Sequence, residues 1–203
     1  NQKNKIKIND YWLYVIPKDK GISEELSIFK IHEPLNTKYL SEQLKENMVC
    51  LDIGANIADS SIYFCLEDAK KVIALEPYYP NYVIANKNLE KTAFSDKVEI
   101  LLSGCAGKKG EIELNEQNSK NIPLLTLEEL VSTYHIESAL LKIDCEGCEY
   151  DTILETPSDI LRKFSHIQIE YHYGYKNLQK KLEDSGFDVK ISPPRFFKSF
   201  NIT

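Results

Sequence analysis

Val49-Cys50-Leu51-Asp52-Ile53-Gly54-Ala55-Asn56-Ile57-Ala58 is the stretch on which the reading of this chain turns. An apolar run ends in an acid, a glycine-containing loop follows, and Ile57, Ser61, Phe64 and Cys65 then fall at the i, i+4, i+7 and i+8 spacing of a helix packed on a sheet. Strand, loop and helix start in that order make a nucleotide-type loop. A dinucleotide fingerprint needs glycines at 54, 56 and 59, whereas the chain has Gly54, Asn56 and Asp59. A carboxylate at a helix start repels a pyrophosphate, so a ligand without phosphate at this point fits better. An ordinary strand-turn-helix is the bland alternative.

Outward from that stretch, strands and helices alternate. Lys71 to Leu75 reads as the second strand, and a helix starting near Pro80 turns Tyr82, Ala85, Leu89 and Ala93 to one face. Val98 to Leu102 is the third strand. Thr126, with Glu129 at the capping-box position, starts a helix whose stripe is Leu127, Leu130, Val131 and Tyr134. Ala139 to Ile143, Ile167 to Tyr171, Phe187 to Ile191 and Phe196 to Ile202 complete seven expected strands, with a helix on Tyr175, Leu178 and Leu182 closed by Gly186. On the N-terminal side, a helix runs from Leu35 toward Glu46. Before it, the imperfect alternation of Ile6 to Tyr14 and of Leu26 to Ile31 predicts a hairpin turning at Lys18 to Gly21. The pattern is that of a mostly parallel α/β sheet covered on both faces, with its ligand at the carboxyl ends of the strands. Glu76, 24 positions after Asp52 and followed by Pro77, stands near the spacing of about 20 expected for the acid that accepts ribose hydroxyls. S-adenosylmethionine matches these features, because its cationic sulfonium and ammonium tolerate carboxylates and its ribose needs an acceptor.

Composition narrows the function classes. The chain has 203 residues, 42% of them hydrophobic, with 8 Gly and 8 Pro, which suits one folded domain and excludes collagen-like or broadly disordered chains. Its 25 Lys+Arg against 31 Asp+Glu give a net charge of -6, which disfavours a sequence-independent grip on nucleic acid. No apolar run reaches the roughly 18 residues of a membrane span, and the five cysteines form no framework, so a cytoplasmic protein is expected. Cys145 and Cys148 make a C-x-x-C without the second ligand pair that zinc requires, and they are expected to be free thiols.

Four landmarks between about residues 30 and 172 resemble the FkbM-type S-adenosylmethionine-dependent methyltransferases. They are Asp52-Ile53-Gly54-Ala55-Asn56, Glu76-Pro77, Lys142-Ile143-Asp144-Cys145-Glu146-Gly147-Cys148-Glu149, and Glu170-Tyr171-His172. The departures are Ala58, where the family usually has Gly, and Cys145 and Cys148, where small apolar residues are usual. The resemblance implies a class I methyltransferase fold, a Rossmann-like seven-stranded sheet whose last strand is antiparallel. The domain spans residues 35–203 behind an N-terminal hairpin extension at 1–34. S-adenosylmethionine is the implied cofactor, held by Asp52, Gly54, Ala55, Asn56, Ser60, Ser61, Glu76, Pro77, Gly104 and Asp144, and no metal is expected. The implied reaction is O-methylation of a sugar, glycan or small metabolite; the acceptor's identity and the oligomeric state are left open. An RNA methyltransferase, an inactive cofactor-binding subunit and a nicotinamide-dependent oxidoreductase are the alternatives.

A sugar hydroxyl must lose a proton, and His172, Glu170, Glu146 and Asp144 are the candidate bases. His172 is the first choice, with Glu170 expected on the same side of the fifth strand to orient its ring, and Glu146 is the second. Trp12, Tyr14, Tyr171, Tyr173 and Tyr175 are candidate walls for the acceptor.

Overall fold

Apolar runs separated by helices supply the strands of one parallel sheet in the computed structural model of the chain, which describes residues 5–8, 11–15, 26, 34–44, 48–114 and 121–192. In chain order the elements are β1 (Lys5–Ile8), β2 (Tyr11–Tyr14), α1 (Pro34–Ser41), β3 (Val49–Ile53), α2 (Asp59–Leu66), β4 (Lys71–Leu75), α3 (Tyr79–Leu89), β5 (Val98–Leu101), β6 (Gly104–Cys105), β7 (Gly110–Ile112), β8 (Ile122–Leu125), α4 (Leu127–Thr133), β9 (Ala139–Ile143), α5 (Cys148–Glu155), α6 (Ser158–Leu161), β10 (Phe164–Ile169) and α7 (Lys176–Asp184). The main sheet has the order β10-β9-β3-β4-β5, with every pairing parallel.

Burial on both faces explains why these strands read as continuous apolar runs. Cys50, Val72, Ala74 and Leu140 point to one face, packed with Ile57, Ile62, Phe64, Ala85 and Leu89. Their neighbours Leu51, Ile53, Ile73, Leu75, Leu141 and Ile143 point to the other, packed with Leu127, Leu130, Ile153, Leu178 and Leu182. The capping box at α4 is formed as expected: the Glu129 amide donates to Thr126 Oγ1 at 3.1 Å and the Thr126 amide to Glu129 Oε2 at 3.1 Å.

Strand order reverses at β3, since the chain steps outward through β4 and β5 and returns on the other side of β3 as β9 and β10. The crevice of such a sheet lies at this reversal, beyond the carboxyl ends of β3 and β9. Asp52 is in register with Lys142 and Ile53 with Ile143, so the loops that follow leave the sheet side by side. Gly54 permits that approach. Its φ is +78°, and a Cβ on it would overlap the Asp144 carbonyl oxygen.

The sheet departs from the seven strands expected. Among the described residues it has five strands, all parallel. Residues 187–191 keep the predicted alternation, with Phe187 and Val189 packed against the second core, but they form no ladder, because no partner backbone lies alongside among the described residues. The expected strand Phe196 to Ile202 lies outside the described residues. A small sheet of order β6-β8-β7 was not anticipated, its strands being too short to show a period. The hairpin is present but tighter than expected, pairing Lys5 with Tyr14 and Ile8 with Tyr11. The turn expected at Lys18 to Gly21, and its second arm apart from Leu26, lie outside the described residues. The hairpin docks on α3 through the buried Asn88, whose Oδ1 accepts from the Tyr14 amide at 2.7 Å and whose Nδ2 donates to the Ile57 carbonyl at 2.9 Å. Among the described residues no helix is long and apolar enough to cross a membrane.

Candidate functional site

Asp52 closes β3 with no exposed surface, and an isolated carboxylate there would be costly. Three donors compensate it: Ser60 Oγ at 2.8 Å and Ser61 Oγ at 2.6 Å, both on Oδ2, and Lys142 Nζ at 3.3 Å on Oδ1. Lys142 is itself buried, and its Nζ lies 3.9 Å from Asp144 Oδ2. Asp52, Ser60 and Ser61, expected as cofactor contacts, are thus brought together as a buried network that ties the start of α2 to β3 and β9. Their hydroxyls and carboxylate hold the loop from behind.

The loop itself is pinned to the end of β4. The amides of Gly54 and Ala55 both donate to the Leu75 carbonyl, at 3.0 and 2.9 Å, and the Asn56 amide donates to Glu76 Oε2 at 2.8 Å. Asn56 and Ala58 have φ of +49° and +65°. The left-handed backbone at Ala58 explains why a glycine suits that position, since a side chain there costs about 1–2 kcal/mol. Glu76 is 5% exposed, and its Oε1 also accepts from the Tyr78 amide at 2.8 Å. Burial pushes its pKa up to about 7, outweighing the two amide hydrogen bonds that favour the charged form. Pro77 lies against Gly104, as does Leu124, so Gly104 serves close packing between β6 and β8.

Two buried oxygens at this edge, Asn56 Oδ1 and Ser103 Oγ, have no hydrogen-bond partner among the described residues. The amide of Ser103 shares the Leu101 carbonyl with that of Glu76, at 2.9 and 3.1 Å, which sets Ser103 beside the acid. Sequence reasoning missed Ser103; a small polar residue directly after the third strand was its only signal.

The second half of the site follows β9 and β10. Asp144 donates its amide to the Ile53 carbonyl at 2.9 Å, and Glu170 donates its amide to that of Ile143 at 2.9 Å, so both sit at the sheet's carboxyl edge. β10 ends at Ile169, however, and Glu170 and His172 stand in the turn beyond it rather than on a strand. Glu149, not Glu170, holds the imidazole: its Oε1 lies 2.8 Å from His172 Nδ1 and accepts from the His172 amide at 3.3 Å. Glu149 has no exposed surface, and its Oε2 accepts from the Gly147 amide at 2.8 Å. It lies inside the Lys142–Glu149 motif, but nothing in the spacing shows that the loop folds it back under the histidine. His172 Nε2 faces Glu146 Oε2 at 3.4 Å. Burial alone would lower the His172 pKa, but the Glu149 hydrogen bond and charge, with Glu146 and Asp144 beyond, raise it above the ordinary 6.5. Ligand-type atoms of Asp144, Glu170 and His172 lie within 4.8 Å of one another, donors of the kind that divalent cations also take.

Tyr173 lies over Gly147 and is 80% exposed, its ring 5.9 Å from that of Tyr150 and 6.4 Å from that of His172; Tyr171 and Tyr175 meet edge-on at 5.5 Å. Trp12 and Tyr14 belong to the hairpin that packs on the opposite core, so the expected aromatic wall is divided between two faces of the sheet. Cys145 and Cys148, expected as free thiols, form a disulfide. Glu146 and Gly147 both have positive φ, +55° and +120°, and this tight turn returns the chain until the two Cα atoms are 5.5 Å apart. Cys50, Cys65 and Cys105 are free and buried.

A nucleotide-type loop at the reversal, an acid on the next strand end, and an acid-histidine cluster thus stand along the carboxyl edge of one parallel α/β sheet. The family model for the methyltransferase FkbM domain matches residues 52–189, and the chain belongs to that family, whose methyl donor is S-adenosylmethionine. Among solved structures, a methyltransferase FkbM from Methylobacillus flagellatus KT is 16% identical with a TM-score of 0.57 over 80% of this chain and 44% of its own. The chain therefore spans less than half the length of that relative. A precorrin-6y C5,15-methyltransferase from Geobacter metallireducens GS-15 is 18% identical, with a TM-score of 0.52 over 79% of this chain and 75% of its own. The aTrm5 protein seen in complex with tRNALeu is 17% identical, with a TM-score of 0.52 over 91% of this chain and 45% of its own. No curated protein matches the chain significantly.

Proposed function

We propose that this protein transfers a methyl group from S-adenosylmethionine to a hydroxyl of a sugar, glycan or small metabolite, in the cytoplasm. The observation that carries the reading is the His172–Glu149 pair at the carboxyl edge of the sheet, beside Asp144 and Glu170. When bound, the cofactor supplies a methyl on a sulfonium, a good leaving group, so alignment and removal of the acceptor proton are left to the protein. His172 takes that proton at Nε2, and Glu149 fixes the ring through Nδ1 and stabilises the imidazolium. Lys142 already offsets the charges of Asp52 and Asp144, and we assign no metal to the step.

The residues on the other side of the crevice suit the donor. Glu76 accepts the ribose hydroxyls, and the unpartnered Asn56 Oδ1 fits a donor such as the cofactor's ammonium. The Gly54-Ala55-Asn56 backbone lies toward the methionyl part and Ser103 near the ribose edge. The net charge of -6 supports a small or glycan acceptor over a nucleic acid.

The reading is tested by incubating the protein with methyl-labelled S-adenosylmethionine and a panel of glycans, hydroxylated metabolites and transfer RNA, with and without EDTA. Label on a hydroxylated small molecule or glycan, unaffected by EDTA, is the expected result. Label on RNA alone would replace the acceptor, and loss of turnover in EDTA would bring in a cation.

The Glu76 assignment yields a further expected result. Hydroxyl donors favour the carboxylate over the acid, so ligand binding lowers the Glu76 pKa from about 7 and releases a proton. S-adenosylhomocysteine affinity should therefore rise between about pH 6 and about pH 8. Glu76→Ala should remove that slope and weaken binding at least about tenfold at the upper end, since charge-assisted hydrogen bonds are worth roughly 1.5–3 kcal/mol each. Calorimetric titration at several pH values reads both; equal affinities of the folded variant and the parent protein would separate Glu76 from the cofactor.

A further inference from the structure

The loop between β9 and α5 carries a feature that the methyl-transfer chemistry leaves unused. The Cys145–Cys148 disulfide encloses Glu146, which faces His172 Nε2, and directly precedes Glu149, which holds His172 Nδ1. Cys145 Sγ lies 3.5 Å from Glu149 Oε2. In the disulfide that sulfur has no proton, so it is a contact without a hydrogen bond. As a thiol it becomes a donor at a distance suited to sulfur, aimed at the carboxylate that holds the histidine.

We propose that Cys145 and Cys148 are a reversible oxidative modification site, opened by a low-molecular-weight dithiol, whose redox state sets how strongly Glu149 acts on His172. The exchange balances within the two partners. A thiolate of the reductant attacks one sulfur of the bridge to form a mixed disulfide, and its second thiol then displaces that protein sulfur. Two electrons and two protons pass to the protein, which ends with two thiols, while the reductant ends as a cyclic disulfide. The reverse exchange, with an oxidised disulfide of the same class, restores the bridge.

Exposure separates this pair from the other cysteines. Cys145 and Cys148 are half-buried at the site's edge, within reach of a small thiol. Cys50, Cys65 and Cys105 lie in the cores, where burial pushes the thiols of Cys65 and Cys105 up to about 12 and that of Cys50 higher still. At neutral pH these three stay protonated and shielded, so exchange is confined to the loop.

The effect on the histidine has a definite sign. Glu149 from α5, Glu146 from the loop, Asp144 at the end of β9 and Glu170 beyond β10 all face the imidazole, with Lys142 offsetting Asp144. Of these, Glu149 makes the direct Nδ1 bond. A thiol donating to Glu149 Oε2 draws on the same carboxylate charge, so reduction weakens its pull and lowers the His172 pKa. More of the ring is then neutral near pH 7, so reduction favours the base form. This last consequence for turnover rests on His172 acting as the base, as proposed above, but the measurements below do not.

Two readouts on the cofactor-free protein test the proposal. Alkylation at neutral pH followed by intact mass should show no modified cysteine in the oxidised protein and two after treatment with dithiothreitol. NMR titration of His172 should then give a midpoint lower by about 0.5 pH in the reduced protein, the size of one weak hydrogen bond. Cys145→Ser, which cannot form the bridge and keeps a donor, should titrate in the lowered position under both conditions. The double variant Cys145→Ala with Cys148→Ala, with neither bridge nor donor, should stay at the oxidised position. Equal alkylation with and without reductant would overturn the redox pair. A His172 midpoint indifferent to reduction, or a double variant that titrates like the reduced protein, would overturn its coupling to Glu149.

Discussion

Gly54→Ala is expected to destabilise the protein by about 3 kcal/mol or more and to abolish S-adenosylhomocysteine binding. The reason is the closeness of two backbones. β3 and β9 are paired in register, and the Asp144 amide donates to the Ile53 carbonyl just before the strands diverge. A Cβ at residue 54 would overlap the Asp144 carbonyl oxygen and crowd its carbon at 2.7 Å, and neither atom belongs to a flexible side chain. Either the two strand ends part or the 54–58 loop is displaced. Parting breaks the buried contact of Lys142 with Asp52 and Asp144; displacement breaks the Gly54, Ala55 and Asn56 amide bonds to Leu75 and Glu76. The φ of +78° adds about 1–2 kcal/mol for any L side chain. Urea unfolding and calorimetric titration measure the two effects. A variant with the parent's midpoint and full affinity would mean that the loop is neither tight nor at the cofactor.

The parts of this architecture legible in the sequence are those in which a local pattern dictates a local structure. The Asp52-Ile53-Gly54 strand end, the alternating helices and strands and the Thr126–Glu129 capping box follow from periodicity and from side chains three residues apart. The strand count did not follow, because alternation at Phe187 to Ile191 reports only which side chains face a core. A strand also needs a neighbour's amides and carbonyls, which no pattern within the segment encodes. The proposed catalytic cluster is half legible. Asp144, Glu146, Glu170 and His172 were marked by their places at strand ends, and the structure brings them to one edge. Their partnerships depend on the 144–149 turn, where a non-glycine residue, Glu146, takes a positive φ beside Gly147. That backbone joins Cys145 to Cys148 and swings Glu149 beneath His172, so the cysteines are bridged rather than free and the Nδ1 contact expected of Glu170 is made by Glu149, with Glu170 nearby. Strand alternation sets side-chain direction only up to Ile169, so the contacts of Glu170 and His172 beyond it depend on the turn and not on the period.

His172→Ala is expected to lower kcat by about 10²- to 10⁴-fold, the range for removal of a general base, while leaving cofactor affinity nearly unchanged. The split follows from position, since the imidazole hangs from the turn after β10, whereas the residues proposed to hold the donor belong to the ends of β3, β4 and β5. The parent's pH profile supplies a second readout. A base acts only when neutral, and Glu149, with Glu146 and Asp144, holds the His172 pKa above 6.5 despite partial burial. In free enzyme and acceptor, kcat/KM should accordingly rise with pH through a midpoint above that value. Glu149→Gln keeps a polar side chain but removes the charge, so its midpoint should move toward lower pH, with kcat reduced because the imidazolium loses its support. A merely structural histidine would give no such displacement. If His172→Ala keeps full turnover while Glu146→Ala or Asp144→Ala abolishes it with cofactor affinity intact, the proton goes to a carboxylate following β9 and the histidine serves only as a wall of the acceptor site.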